Sequence, residues 1–217
     1  MRIALDAMGG DFAPLETVKG AFKAARDYNI EVVLVGLEKE VREVVDKEFN
    51  GEFHPNIEFV PCKEVISMHD LPVEAVKKKK YSSLSICVKL MKNGEVDAVV
   101  SAGNTGAFVA ISTIELRLLA GVKRPGIAVS FPTLAGPCTL IDVGANVKCR
   151  PDQLFQFAIM ASAYCEHIHG ISSPRVGVLN IGEEDEKGNS LVKATRELLQ
   201  NSPLNFIGNA EGRDIYN

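Results

Sequence analysis

What the chain lacks narrows its function before any motif is read. It has no surplus of positive charge: 24 Lys and Arg stand against 28 Asp and Glu, a net charge of −4. A nucleic-acid binder is expected to present a basic field instead. No C-x-x-C pair occurs. The five cysteines, Cys62, Cys87, Cys138, Cys149 and Cys165, form an odd set that suits a reduced cytosolic chain better than a disulfide framework or a zinc site. The longest apolar run, near 108–114, stops at Glu115 and Arg117 and is too short to cross a bilayer. Any membrane contact is therefore expected to be peripheral. Met1 leads straight into a strand pattern, with no signal-peptide pattern before it. Neither a Walker A loop nor G-x-G-x-x-G is present, so nucleotide binding has no positive support. Without a G-x-S-x-G elbow, or a cysteine on a strand-to-helix turn near a histidine, covalent catalysis has no obvious nucleophile. Cys138 and Cys149 read as buried or incidental thiols. Repeats and low-complexity linkers are absent as well.

What remains is ordinary globular material: 217 residues, 46% hydrophobic and 24% charged, enough for one large α/β domain. Strand patterns at 2–8, 31–36, 57–60, 98–101, 126–131, 138–143, 175–181 and 205–208 alternate with helical ones. The helix after Pro14 places Leu15, Val18, Phe22 and Ala25 on one face. The long helix opened by Pro151 is expected to bury Leu154, Ala158, Ala161 and Cys165. A turn around Pro132 and Gly136-Pro137 separates the fifth and sixth strands. Such alternation with short loops predicts a mostly parallel sheet with helices on both faces. Polar residues gather where strands end: Asp6 and Asp11, Asn104 and Thr105, Asp142 and Asn146, Asn180 and Lys187, Asn209 and Asp214. In open parallel sheets ligands bind at those carboxyl ends.

The most informative stretch runs from Asp97 to Ala107. A short strand enters Gly103-Asn104-Thr105-Gly106 and then an apolar helix. Glycines permit close backbone approach, Asn104 or Thr105 can cap the helix, and free N–H groups at a helix start attract anions. The stretch is thus either a phosphate site or a plain turn. Lys187, between an acidic loop and Gly188-Asn189, could place an ammonium on a bound anion. The acidic run 183–186 is either a Mg²⁺ site or a solvated loop. His54, His69, His167 and His169 suit surface or capping roles, the last two at a helix C-terminus. Lys77–Lys80 is either a solvated face or a docking patch for an acidic partner, and Ser82-Ser83 caps the helix that follows.

Five motifs stand together in one order: Asp6-Ala-Met-Gly-Gly-Asp11, Ser101-Ala-Gly-Asn-Thr-Gly106, Asp142-Val-Gly-Ala-Asn146, Leu179-Asn-Ile-Gly-Glu-Glu184 with Lys187-Gly-Asn189, and Asn209-Ala-Glu-Gly-Arg-Asp214. With Pro72-Val-Glu-Ala-Val and Arg124-Pro125, they closely resemble the bacterial acyl-carrier-protein:phosphate acyltransferase (PlsX) family across essentially the whole chain. Lys148 departs from the family, where an acidic residue is usual. The resemblance implies a fold like phosphotransacetylase and the isocitrate and isopropylmalate dehydrogenases. It implies transfer of a long-chain fatty acyl group from acyl carrier protein to inorganic phosphate, giving acyl phosphate for a glycerol-3-phosphate acyltransferase in phospholipid synthesis. No cofactor or metal is implied. Partners would be acyl carrier protein, phosphate and a second copy in a homodimer. The expected location is cytoplasmic, peripheral at the inner face of the membrane through a C-terminal part beyond residue 217. That view takes 1–217 as a single acyltransferase domain lacking this part.

On the resemblance, Lys187, Asn104 and Asn180 are the expected catalytic residues. Gly103, Thr105, Gly106, Asp142, Asn146, Gly182 and Asn209 would bind phosphate or substrate. Asp6, Gly9, Gly10 and Asp11 would organise the loops, with Asp6 and Asp142 accepting backbone N–H bonds. Two other readings stay open: a non-catalytic chain that binds acyl carrier protein, and a dehydrogenase of related fold.

Overall fold

The computed structural model describes residues 1–182, 184 and 187–216. The chain falls into two units, Met1–Arg117 and Leu118–Asn217. In the first, strands β1 (Arg2–Asp6), β2 (Glu31–Leu37), β3 (Ile57–Cys62) and β4 (Ala98–Val100) form one parallel sheet in the order β3-β2-β1-β4. Its helices are α1 (Leu15–Tyr28), α2 (Glu38–Phe49), α3 (Pro72–Lys78), α4 (Ser83–Lys92) and α5 (Thr105–Leu116).

β2 is buried without interruption from Val32 to Gly36, as expected of a parallel strand covered on both faces. Side chains alternate across a strand, so its residues divide between two layers. Val32 and Leu34 pack with Val18, Ala21, Phe22 and Ala25 of α1 and with Val41 and Val45 of α2. There Phe22 stacks on Phe49 with ring centroids 3.6 Å apart. Val33 and Val35 pack on the other side with Ala4, Val96 and Cys87 of α4. Burying each such aliphatic side chain is worth roughly 1.5–3 kcal/mol. From β1 the chain steps outward to β2 and β3, then returns to place β4 on the opposite side of β1. The direction of winding therefore reverses between β1 and β4.

In the second unit, β5 (Ala128–Thr133) and β6 (Gly136–Ile141) pair antiparallel. α6 (Pro151–His169) follows, then β7 (Val176–Leu179), α7 (Ser190–Gln200), β8 (Phe206–Ala210) and the 3₁₀ turn η1 (Gly212–Tyr216). β8 lies parallel to β7. Phe157 of α6 and Thr195 and Leu199 of α7 are fully buried.

The α/β class with a mostly parallel sheet and helices agrees with the expectation, and three local readings change. α3 was not anticipated: it is short, begins at Pro72 and ends in the lysine run, where charge hid the helical pattern. The hairpin turn is tighter than expected, because the ladder continues through Pro132↔Pro137 to Thr133↔Gly136 and leaves only Leu134 and Ala135 at the tip. The buried face of α6 consists of Gln153, Phe157, Ser162 and Cys165. Leu154, Ala158 and Ala161 are only half-buried. Gln153 is drawn inward because its Oε1 accepts the Arg150 N–H at 2.9 Å, closing the helix start.

Candidate functional site

In the first unit the expected residues meet at the carboxyl ends of β1 and β4, the neighbouring strands between which the winding reverses. This is where open α/β sheets offer a ligand crevice. Asp6, buried at the end of β1, accepts from the Met8 N–H at 3.1 Å and from Ser101 Oγ at 2.7 Å. Ser101 Oγ in turn accepts the Gly103 N–H at 3.1 Å. This chain of bonds draws the loop after β1 onto the loop after β4. A Cβ at Gly9 would lie 2.7 Å from Asp6 Oδ2, 2.7 Å from Ser101 Oγ and 2.8 Å from the Gly103 nitrogen. One at Gly103 would lie 3.2 Å from the Gly9 Cα. Only glycine allows the two loops to cross so closely. Gly10 packs on Ala102, and Asp11 is exposed.

Asn104 caps α5. Its Oδ1 accepts the Ala107 N–H at 3.0 Å, and its Nδ2 reaches the carbonyls of Ser67 (3.2 Å), Met68 (3.4 Å) and Asp70 (3.0 Å). That side chain, 8% exposed, ties the helix start to the 67–70 loop. The first helical residues, Thr105 and Gly106, are exposed. Their N–H groups precede the capped one, at the end where the helix dipole is positive. A Cβ on Gly106 would stand 2.7 Å from Pro72 Cγ, so α3 lies directly beside this corner.

In the second unit the residues form two groups. Asp142 accepts the N–H groups of Ile127 (3.0 Å), Gly144 (3.3 Å), Ala145 (2.9 Å) and Asn146 (2.8 Å). Burial pushes its carboxyl up, but the donors from Ile127, Ala145 and Asn146 together hold it below the usual carboxylate range. Asn146 Nδ2 donates to the Pro125 carbonyl at 2.7 Å and to Asp142 at 2.9 Å. Arg124 Nη1 approaches Asn146 Oδ1 at 3.4 Å. The turn is a closed knot.

The other group follows β7 and β8. The Asn180 N–H donates to the Ala210 carbonyl at 2.8 Å, and Asn180 Nδ2 lies 3.4 Å from the Gly182 carbonyl. Asn209 Nδ2 donates to the Glu184 carbonyl at 2.9 Å. Gly182 is buried beneath the Lys187 stem: a Cβ there would sit 3.0 Å from Lys187 Cγ. Lys187 itself is exposed. The Mg²⁺ reading falls on the acidic run 183–186, of which Glu184 is exposed and Glu183, Asp185 and Glu186 lie outside the described residues.

Four of the five thiols are poorly suited to act as nucleophiles. Burial pushes Cys62 up to about 11 and Cys87 well above its ordinary value, and it raises Cys138 and Cys149 too. A thiol held protonated at neutral pH attacks poorly. Two participants escaped the sequence reading. Ser101 bridges Asp6 to Gly103, and the available sign was a hydroxyl two residues before a glycine at a strand end. Pro72 abuts Gly106 from 34 residues away, which no local pattern reveals.

A family model described as "Fatty acid synthesis protein" matches residues 1–217. The chain belongs to that family. Phosphate acyltransferase from Dictyoglomus turgidum is 49% identical over 221 residues, covering 100% of this chain and 64% of that protein. Phosphate acyltransferase from Desulfitobacterium hafniense (strain DSM 10664 / DCB-2) is 49% identical over 215 residues, covering 99% of this chain and 64% of that one. The chain thus spans 64% of the length of either relative. The phosphotransacetylase of Streptococcus pyogenes superposes with a TM-score of 0.68 at 18% identity, over 97% of this chain and 68% of its own. For 4-hydroxythreonine-4-phosphate dehydrogenase from Burkholderia phymatum the TM-score is 0.51 at 16% identity, over 95% and 73%. These two share the fold. Among the described residues no helix is long and apolar enough to cross a membrane.

Proposed function

We propose that this protein transfers a fatty acyl group from the thioester of acyl carrier protein to inorganic phosphate. The supporting observation is the crossing of Gly9 on Gly103 where the winding reverses, beside the exposed start of α5, in a chain 49% identical to a phosphate acyltransferase. In this reaction a phosphate oxygen attacks the thioester carbonyl carbon and the C–S bond breaks. The proton of hydrogen phosphate leaves with the thiolate, giving acyl phosphate and free thiol. Phosphate is itself the nucleophile, so the chain needs no activated serine or cysteine. The protein must hold the anion against the carbonyl and stabilise the charge that develops on oxygen.

The backbone N–H groups of Thr105 and Gly106 are proposed to hold phosphate, with Gly103 giving it room. Asn104 was expected to be catalytic; with its amide committed to Ala107 and the 67–70 carbonyls, it is proposed to position the helix. Lys187 is proposed to neutralise anionic charge during transfer, while Asn180 and Asn209 orient substrate. Asp142 and Asn146 order their own turn. Resemblance alone extends the proposal to a homodimer, peripheral membrane contact and delivery of acyl phosphate to a glycerol-3-phosphate acyltransferase.

Hydroxylamine converts acyl phosphate to a hydroxamate, so hydroxamate formed from acyl carrier protein thioester and phosphate tests the reaction. Lys187→Ala is expected to lower turnover by about 10²-fold, the scale for losing one charge-stabilising group. Near-normal turnover in that variant would exclude the charge role.

A further inference from the structure

The basic run from Lys77 to Lys80 does not act as one patch. Lys79 turns inward, where its ammonium pairs with Asp70 and donates to the Val65 carbonyl at 2.8 Å. Lys78 pairs with Glu74 one helical turn away at 2.8 Å. Lys77 and Lys80 stay exposed, and beside Lys80 stands Tyr81, which is 62% exposed. Lys63 Nζ stands 5.8 Å from its ring centroid and Lys89 Nζ 5.7 Å. Lys89 Nζ also donates to the backbone carbonyl of Lys80 at 3.1 Å, and Lys80, next to Tyr81 in the chain, is exposed. Among the described residues Lys63, Lys80 and Lys89 have no carboxylate partner.

Charge along the first unit is segregated to match. Residues 63–92 carry seven lysines against three acidic residues, while residues 1–62 and 93–117 carry eight basic residues against 15 acidic ones. The Glu64 carboxylate accepts the Tyr81 N–H at 3.0 Å, so the cluster holds one acid among its lysines, yet among the described residues its ammonium groups make no ion pair of their own and fit a negatively charged partner. The acidic excess in residues 1–62 and 93–117 disfavours such a partner on the rest of the first unit.

The cluster also lies at the correct end of the sheet. Lys63 follows the last residue of β3, and Tyr81 precedes the N-cap of α4, so both are at the carboxyl ends of the strands. β3 is the third strand from β4 in the order β3-β2-β1-β4, and each step is about 4.8 Å. The segment between them, 63–82, reaches back to the anion corner through the Asn104 bonds to Ser67 and Asp70 and the contact of Pro72 with Gly106.

From this placement we infer that Lys63 and Lys89, held at Tyr81, together with the exposed neighbouring Lys80, form the docking surface for an acidic protein that delivers the substrate. Resting on the acyl transfer proposed above, that protein is the acyl carrier protein. The aromatic ring holds two long side chains in one place, so less of their freedom is lost when the partner binds.

Fluorescence anisotropy with labelled acyl carrier protein tests docking independently of catalysis. Lys63→Glu, Lys80→Glu and Lys89→Glu combined are expected to weaken binding by at least about tenfold at low salt, a difference that 0.5 M salt should shrink as the charges are screened. Lys78→Glu, at a lysine already paired, is expected to change it far less. The combined glutamine variant should fall between. A circular dichroism melt matching wild type confirms that these exposed changes leave the fold intact. Unchanged binding in the triple reversal, or equal loss in Lys78→Glu, overturns the inference. So does tighter binding of wild type to anionic vesicles or RNA than to the carrier protein. A short uncharged acyl thioester assayed in parallel separates the two proposals. If it yields phosphate-dependent hydroxamate at wild-type rate in the triple variant, only docking is affected; if wild type yields none from either donor, the reaction itself fails.

Discussion

Replacing Gly9 by alanine places one methyl group at the most crowded point of the first unit. Its Cβ would lie 2.7 Å from Asp6 Oδ2, 2.7 Å from Ser101 Oγ and 2.8 Å from the Gly103 nitrogen. None of these atoms can yield freely. The two oxygens share a 2.7 Å hydrogen bond, Asp6 is 3% exposed, and the nitrogen belongs to the backbone. Overpacking of this kind costs typically 1–3 kcal/mol. Separating Ser101 from Asp6 would leave a buried carboxylate short of a donor, a further ~1–3 kcal/mol. The sum is about 3 kcal/mol or more if the bond breaks, and nearer 1 kcal/mol if the loops part while keeping it. Gly20 is the control: it lies inside α1 with nothing within 4 Å of an added Cβ. Alanine there should stabilise by roughly 0.5–1 kcal/mol. The chain has no tryptophan, so urea unfolding is best followed by far-ultraviolet circular dichroism. Phosphate affinity of Gly9→Ala, measured calorimetrically, should fall with stability, because the same crossing borders the proposed phosphate site. Stability of Gly9→Ala within about 0.5 kcal/mol of wild type would refute the reasoning.

Other perturbations test separate parts of the account. Asn104→Ala removes a helix cap and the anchor of the 67–70 loop, and should cost ~2 kcal/mol in urea unfolding. Asp142 has a depressed carboxyl, so its stabilising contribution is present above the ordinary carboxylate range and is lost as pH falls through the lower folded-state value. Asp142→Asn should therefore flatten the acid limb of a stability-versus-pH curve, and an unchanged limb would deny the depression. Asp152 is held down at about 2 by Lys123 and Arg150; titration followed by nuclear magnetic resonance should show its carboxyl ionised at pH 3. Cys62 and Cys87 should react with a thiol reagent at pH 7 far more slowly than after unfolding, as raised thiols in the interior do.

The parts of the fold legible in the sequence were those with a local cause. β2 announced itself as a run of valine and leucine, and the strand pattern expected at 57–60 falls within β3. Asn104 was readable as a cap because a short polar side chain before an apolar run is a local signal. Less legible were relations over distance. Three carbonyls from the 67–70 loop engage Asn104, and nothing near residue 104 indicates them. Likewise, the lysine run gave no sign that Lys79 would turn inward to Asp70 or that Lys63 and Lys89 would meet over Tyr81. For α6, helical spacing suggested an aliphatic face, but Gln153 turns inward to close the helix start and Phe157 packs beside Gly126.

The most direct test of acyl transfer to phosphate is a paired measurement on one reaction. Thiol released from long-chain acyl carrier protein is followed with and without inorganic phosphate, and hydroxamate is counted in the same samples. The account predicts that release requires phosphate, saturates with it, and matches hydroxamate one for one. Release that proceeds equally without phosphate, or thiol without hydroxamate, would mean that water rather than phosphate attacks and would contradict it.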